Sequence, residues 1–126
     1  MKQLVITDKA PSAIGPYSQA VKTGNLLFTS GMIPIDPTTG QLVEGGIEVQ
    51  AEQALKNIKN LVEASGSSLD KVVKTVVFIK NMDDFAKVNE IYSKYFVSDW
   101  PARSCVEVAR LPKDVLIEIE AIAELD

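Results

Sequence analysis

Histidine is absent from the 126-residue sequence, and Cys105 is its only cysteine. Ser-His-Asp and Cys-His triads need an imidazole base, so neither can be present. Zinc sites draw mainly on imidazole and thiolate ligands, so no metal is expected. A single cysteine cannot form an intramolecular disulfide, which is typical of proteins in a reducing compartment. Acid–base chemistry must therefore use carboxylates, lysine, tyrosine, the one thiol, water or backbone groups.

Basic charge and long apolar runs are also scarce. The 13 Lys and Arg residues face 17 Asp and Glu residues, giving a net charge of -4, whereas nucleic-acid-binding surfaces are usually basic. No apolar run approaches the roughly 18 residues of a membrane span, and Leu4–Ile6 is too short for a signal peptide. We therefore expect a cytoplasmic protein that binds neither nucleic acid nor membrane. The length fits one domain over residues 1–126.

Hydrophobic periodicity predicts three strands, a helix, a strand, a second helix and two final strands. The strands are expected at Leu4–Ile6, Ala20–Lys22, Leu26–Ser30, Val72–Ile79, Ala102–Val108 and Val115–Ala123. Helical spacing runs from Ala51 to Val62, with Gly66 as a C-terminal cap, and again along Phe85, Val88, Ile91, Tyr92 and Tyr95. Residues 32–46 are expected to form a loop. This order predicts an α+β domain with two helices on one face of a sheet.

The last predicted strand indicates what lies on the other face of that sheet. One side of the strand is wholly apolar, and the other combines Glu118 and Glu120 with Leu116 and Ile122. A half-apolar open face favours burial against another subunit. The alternative is a solvent-exposed face with a few isolated apolar residues.

A possible reactive group lies on the last two strands. If they form a hairpin centred on Leu111–Pro112, Arg103 lies opposite Glu120, and Cys105 lies opposite Glu118. A guanidinium, a thiol and two carboxylates would then gather on the open face. Arg103 could bind a substrate carboxylate through two parallel hydrogen bonds while Glu120 orients a water or moves a proton. The structural alternative is a cross-strand ion pair.

Four further positions are weaker candidates. Ser30-Gly31 ends a strand where a glycine allows a ligand close to the backbone, or it is a simple turn. Tyr17 offers a hydroxyl to a pocket or only packs, and Asn89 is a site group or a hydrogen-bonded core amide. Cys105 is more typical of a buried small apolar residue than of a nucleophile.

Several segments together resemble one family. Pro101–Pro112 followed by Ile117–Glu120 resembles the C-terminal signature of the RidA/YjgF/YER057c family, and Ala13–Gln19, Thr29–Gly31 and Asp84–Asn89 match it in order along the chain. The resemblance implies a chorismate-mutase-like α+β fold with a mixed six-stranded sheet and two helices on one face. It also implies a homotrimer in which the sheets form an inner barrel and the ligand clefts lie between subunits.

The resemblance also implies an activity. Members of the RidA subgroup hydrolyse reactive 2-imino and enamino acids, such as 2-iminobutanoate and 2-iminopropanoate, to 2-oxo acids and ammonia, without a cofactor. Pyridoxal-phosphate-dependent threonine and serine dehydratases release those intermediates. By matching motif, Arg103 binds the substrate carboxylate and Glu120 positions or activates water. The expected cleft residues are Tyr17, Ser30, Gly31, Asn89 and Cys105.

Two other functions remain open from the sequence. One is a non-catalytic regulatory module that binds 2-oxo acids through Arg103. The other is the translation-inhibiting ribonuclease or chaperone activity attributed to some relatives of the family. The acidic charge and the missing histidine weigh against the ribonuclease.

Overall fold

The computed structural model describes residues 1–126 and contains eight strands and two α-helices. Strands β1 to β5 are Gln3–Val5, Ala20–Thr23, Leu26–Thr29, Ile35–Asp36 and Gln41–Leu42. Strands β6 to β8 are Val72–Ile79, Ala102–Glu107 and Ile117–Glu124. Helix α1 spans Ile47–Ala64 and α2 spans Phe85–Tyr95, with short 3-10 turns at Leu69–Lys71, Met82–Asp84 and Pro112–Asp114.

Six strands form one mixed sheet in the order β1-β2-β3-β8-β6-β7. Only the β6–β7 pair is parallel. The predicted α+β class, with a six-stranded sheet and two helices, is confirmed. The prediction of a loop over residues 32–46 is partly wrong, because β4 and β5 pair there as a two-stranded ribbon. Each of these strands has two residues, which is too short to show a period of two.

The predicted hairpin of the last two strands is wrong. Strand β6 lies between them, pairing parallel to β7 and antiparallel to β8. Helix α2 connects β6 to β7, and a helical crossover is the usual connection between parallel neighbours. The chain then passes through the Pro112–Asp114 turn and enters the sheet on the far side of β6.

The core fills the space between the helices and one face of the sheet, called here the helix face. Helix α1 presents an apolar side, including Leu55, Ile58 and Leu61, that is inaccessible to solvent. It packs on alternate residues of β8, among them Ile117 and Ile119. Apolar residues at three- and four-residue spacing produce this side, so burial rather than intrinsic propensity stabilises the helix. As predicted, Gly66 follows the helix with a positive φ of 90°.

The opposite face of the sheet, called here the open face, carries no helix. Phe28 and Val106 lie on it and are 40% and 42% exposed. Glu118 and Glu120 lie on the same face and are partly buried. The expected mixture of apolar and acidic side chains is therefore present. Neither helix combines the length and apolar character that a membrane-spanning segment requires.

Candidate functional site

The structure places the predicted site residues on both faces of the sheet. Thr75 of β6 is paired with Arg103 on one side and with Ala121 on the other, so Arg103 shares the buried helix face. Val76 is paired with Glu120, which therefore points to the open face. The predicted gathering of Arg103 and Glu120 on one face of a single chain is wrong, because it depended on the hairpin register.

Arg103 faces a cleft of about 450 Å3 between α2 and the start of β7, called here the Arg103 cleft. Its lining residues are Asn89, Tyr92, Ser93, Phe96, Trp100, Pro101 and Arg103. The guanidinium carbon lies 4.8 Å from the ring centroid of Tyr92 and 5.5 Å from that of Phe85. The three ion pairs of the structure all involve other side chains. The guanidinium therefore keeps its N–H donors free for a ligand.

Asn89 belongs to the same cleft. Its Oδ1 is buried and accepts no hydrogen bond. Burying a polar atom without a partner is costly, and such atoms are rare in folded proteins. Asn89 is therefore not the fully hydrogen-bonded core amide that was the alternative, and its Oδ1 has an acceptor position open.

The Tyr92 side chain forms the floor of the cleft and is held on two sides. Tyr92 is buried, and its hydroxyl lies 2.8 Å from Oγ1 of the fully buried Thr75 on β6. The Tyr92 ring also stacks on Phe96, with the centroids 4.6 Å apart. Burial raises the pKa of Tyr92, so its hydroxyl is neutral at physiological pH. These contacts fix the ring that lies beneath Arg103.

Cys105 lies two residues along β7 and packs against the core. Burial raises the pKa of its thiol, and the positive charge of Arg103 opposes that effect only in part. The thiolate is the nucleophilic form, so a raised pKa lowers reactivity at neutral pH. This supports Cys105 as a wall of the site rather than a nucleophile.

A second group of predicted residues lies where β3 meets β8. Phe28 is paired with Ile122, but the next pairing along the strands joins Met32 to Ile119, so the register shifts by one residue between them. In the second pair the Met32 N–H donates to the Ile119 carbonyl at 2.7 Å. Ser30 and Gly31 lie at the break. A β-carbon on Gly31 would be 2.6 Å from Cδ of Glu118, closer than any real contact allows. The Glu118 carboxylate therefore lies directly on the Gly31 backbone.

Glu118 is partly buried and lies beside a second carboxylate, that of Glu120. Burial raises its pKa, and the neighbouring charge of Glu120 raises it further. It forms no ion pair. The sequence favoured Glu120 instead, because the assumed hairpin set it opposite Arg103 and the family resemblance gave it the water-binding role; the observed register pairs Glu120 with Val76 and Glu118 with Phe78. The close approach to Gly31 and the raised pKa separate Glu118 from Glu120, and both depend on the tertiary fold.

The loop before β2 completes this second group. The Ser30 hydroxyl donates to the Ser18 carbonyl at 2.6 Å, and the Ser30 N–H donates to the Gln19 carbonyl at 2.9 Å. The neighbouring Tyr17 is half exposed, and its hydroxyl accepts a hydrogen bond from the Ile14 N–H at 3.3 Å. The buried Gln19 side chain holds the loop through bonds to the backbone of residues 7, 10 and 11.

The predicted site residues of one chain therefore lie in two separate groups. Arg103 and Asn89 lie in the cleft on the helix face, with Cys105 further along the same strand. Ser30, Gly31 and Glu118 meet at the β3–β8 break. A larger groove of about 610 Å3 runs along α1 beside Tyr95, but its charged side chains are exposed and it contains none of the predicted site residues.

Comparison with known proteins identifies the family. Residues 7–125 match the family described as Endoribonuclease L-PSP. A RutC family protein of Pyrococcus horikoshii is 59% identical over 123 residues, which are 98% of each chain. The 2-iminobutanoate/2-iminopropanoate deaminase of Escherichia coli is 53% identical over 126 residues, again 98% of each chain. A crystal structure of a Thermotoga maritima protein is 60% identical, with a TM-score of 0.97, and the match covers 100% of this chain and 99% of that one.

These relatives carry different functional names, but they agree with this chain in sequence and fold over nearly its whole length. The predicted resemblance is thereby confirmed: the chain belongs to the Endoribonuclease L-PSP family, which is also known as the RidA/YjgF/YER057c family.

Proposed function

We propose that this protein hydrolyses 2-imino acids, such as 2-iminobutanoate and 2-iminopropanoate, to 2-oxo acids and ammonia. The observation that carries the proposal is the unpaired guanidinium of Arg103 in the Arg103 cleft. A planar guanidinium with free donors binds a carboxylate through two parallel hydrogen bonds. The 53% identity to a deaminase of that specificity supports the choice of substrate.

We further propose that the complete site forms between copies of the chain in a homotrimer. Arg103 and Glu118 lie on opposite faces of the sheet, so one chain cannot direct both at one small substrate. A ring of identical heterologous contacts would bring the Arg103 cleft of one copy to Glu118 of the next. The exposed apolar side chains of the open face supply surface for such an interface.

The chemistry needs only binding, orientation and one proton carrier. Arg103 would fix the substrate carboxylate, and the free Oδ1 of Asn89 would accept an N–H from the imine. Glu118 would hold the water, whose oxygen attacks the imine carbon, and would take a proton from it. Returning that proton to nitrogen gives a carbinolamine, which carries a hydroxyl and an amino group on one carbon. Glu118 would then take the hydroxyl proton and pass it to the amino group, so that the C–N bond breaks and the carbonyl and ammonia form. A carboxyl group whose pKa is raised towards neutrality is suited to these transfers.

The substrate explains why such a modest site suffices. Imines hydrolyse in water without a catalyst, so alignment of carbon and water supplies much of the acceleration. The reaction requires no cofactor. The imines would come from pyridoxal-phosphate-dependent threonine and serine dehydratases, which places the protein downstream of amino-acid dehydration.

An imine-trapping assay tests the proposed reaction. A threonine dehydratase generates 2-iminobutanoate in the presence of semicarbazide, and formation of the semicarbazone is followed. The protein should lower semicarbazone formation because it consumes the imine first. Arg103→Ala should abolish the effect, and Arg103→Lys, which keeps the charge but loses the planar fork, should restore only part of it. Unchanged trapping in the presence of the wild-type protein contradicts the proposal.

The same assay distinguishes the two carboxylates. Glu118→Gln should remove most activity, whereas Glu120→Gln is its matched control two residues along the same strand face. Equal loss in both variants would show that both act, and loss only in Glu120→Gln would restore the assignment made from the sequence.

Mixing two inactive variants tests the shared site. Arg103→Ala subunits keep Glu118, and Glu118→Gln subunits keep Arg103. After joint unfolding and reassembly in equal amounts, about a quarter of the interfaces should contain both intact residues by random assortment. Recovery of about that fraction of wild-type activity supports a site between copies. No recovery, with trimers present, contradicts it.

Two alternative functions give different results in these experiments. A non-catalytic module would bind 2-oxobutanoate through Arg103 without consuming the imine. A ribonuclease, which the family description names, would cleave RNA. Cleavage that survives Arg103→Ala would belong to a contaminant or to a separate site.

A further inference from the structure

The Arg103 side chain carries a partly buried positive charge without a carboxylate partner. A charge removed from water is costly unless something compensates it. Two aromatic rings lie over it, with their centroids 5.5 Å (Phe85) and 4.8 Å (Tyr92) from the guanidinium carbon. These residues are seven positions apart on α2, which is two helical turns, so both rings lie on one side of the helix.

We propose that Phe85 and Tyr92 are positioning residues that hold the Arg103 guanidinium in place for carboxylate binding. The identity of that carboxylate, a 2-imino or 2-oxo acid, rests on the proposed function; the clamp itself rests on the geometry. The face of an aromatic ring attracts a cation through its quadrupole, and a guanidinium can stack on it. That attraction leaves the N–H edge of the guanidinium unoccupied.

A carboxylate in place of the rings would not leave the N–H edge of the guanidinium unoccupied. It would occupy the same donors that the substrate needs, and the substrate would have to displace it. The acid nearest along the strand face is Glu107, and it is engaged elsewhere. Its carboxylate accepts a hydrogen bond from the Met82 N–H at 2.8 Å, in the 3-10 turn that leads into α2 at Phe85.

Both rings have their own supports. Tyr92 is fixed by the 2.8 Å bond to Thr75, on the strand that pairs with Arg103 itself. Phe85 begins α2 directly after the turn that Glu107 holds. The rings are therefore placed by the same strands, β6 and β7, that place Arg103.

Nuclear magnetic resonance tests the clamp directly, because the chain has only two arginines, Arg103 and Arg110. Arg110 is exposed and its Nε lies 2.7 Å from Asp114, so it serves as an internal reference. Protons above ring faces resonate upfield, so the guanidinium protons of Arg103 should be shifted upfield of those of Arg110. Phe85→Leu should move the Arg103 signals downfield and leave those of Arg110 unchanged.

Calorimetric binding of 2-oxobutanoate tests whether the rings increase the affinity of Arg103 for a carboxylate. Phe85→Leu should raise the dissociation constant of 2-oxobutanoate about two- to fivefold, the size expected of one cation–π contact at an exposed site. Phe85→Tyr should retain wild-type affinity because it keeps a ring. Tyr95→Leu is the matched control: it removes a ring from the same helix, but its hydroxyl contacts Glu52 of α1 and its ring is not one of the two over Arg103. Phe85 is partly exposed, so its substitution tests the clamp without emptying the core.

Two results would overturn the inference. One is a wild-type spectrum in which the Arg103 protons show no upfield shift. The other is a Phe85→Leu variant, assembled like the wild type, that binds 2-oxobutanoate with unchanged affinity. Failure of the proposed function would give a different set of results. The upfield shift of Arg103 and the Arg103-dependent binding of 2-oxobutanoate would both be observed, but the protein would not lower semicarbazone formation.

Discussion

Replacing Gly31 by alanine tests the contact on which the choice of Glu118 depends. The new β-carbon would lie 2.6 Å from Cδ and 2.9 Å from Cγ of Glu118, whereas ordinary contacts are 3.4–4 Å. The φ of Gly31 is not in the left-handed region, so the backbone itself accepts alanine. Overpacking of this kind costs about 1–3 kcal/mol, and the lower entropy of the unfolded chain offsets about 0.4–1 kcal/mol. Because the contacted atoms belong to the flexible end of the Glu118 side chain, which can rotate away, we expect a net loss of no more than about 2 kcal/mol in the free energy of unfolding.

A double-mutant cycle isolates the cause of that loss. Unfolding by denaturant is measured for Gly31→Ala in the wild-type chain and in a Glu118→Ala chain, in which Cγ and Cδ are gone. In the second background the cost should disappear. Gly46→Ala is the control, because its β-carbon meets nothing within 4 Å and its effect should be equal in both backgrounds.

The same substitution has a functional consequence. Alanine at position 31 should displace the Glu118 carboxylate and lower kcat for imine hydrolysis, while binding of 2-oxobutanoate at Arg103 changes less. An equal loss of stability in both backgrounds would refute the contact. Full activity in Gly31→Ala would refute the role of Glu118 that we derive from it.

Three further predictions follow from individual contacts. Glu118→Gln should be more stable than the wild type at neutral pH. Because the pKa of Glu118 is raised by folding, the wild type loses stability as the pH rises above about 4.5, whereas the glutamine variant does not. Unfolding measured as a function of pH should therefore show the difference in stability vanishing below pH ~4. Gln19→Leu should lower the free energy of unfolding by about 2–4 kcal/mol, because several backbone groups lose a buried partner, whereas Gln41→Leu at an exposed position should change it little. Cys105→Ser should retain most activity, and alkylation of the wild-type thiol should be slower than that of a free cysteine at pH 8, since burial raises its pKa; loss of all activity would make the thiol a nucleophile.

The elements could be predicted from the sequence because burial imposes local periods. Apart from Lys74 and Thr75, the run Val72–Ile79 is apolar on both faces of its strand, which is typical of an interior position in a sheet, and β6 occupies one. The alternation from Ile117 to Ala123 correctly separated the helix face from the open face. These patterns depend only on which side of each element meets the core.

Strand pairing could not be predicted in the same way. Nothing local indicates that β8 bypasses its sequence neighbour β7 and pairs with β6 and β3. That single topological fact moves Arg103 to the helix face, away from the acidic residues. The contact of Glu118 with Gly31 joins positions 87 residues apart and requires the completed sheet.

The position of these charges has a consequence for assembly. The sheet acts as a partition that keeps the cationic Arg103 and the acidic pair Glu118 and Glu120 of one chain from neutralising each other. Charges of opposite sign are thereby displayed on the two surfaces that would meet in the proposed trimer. Such complementarity steers encounter and fixes orientation more than it adds affinity. The arrangement that divides the site between two faces would therefore also guide one copy onto the next.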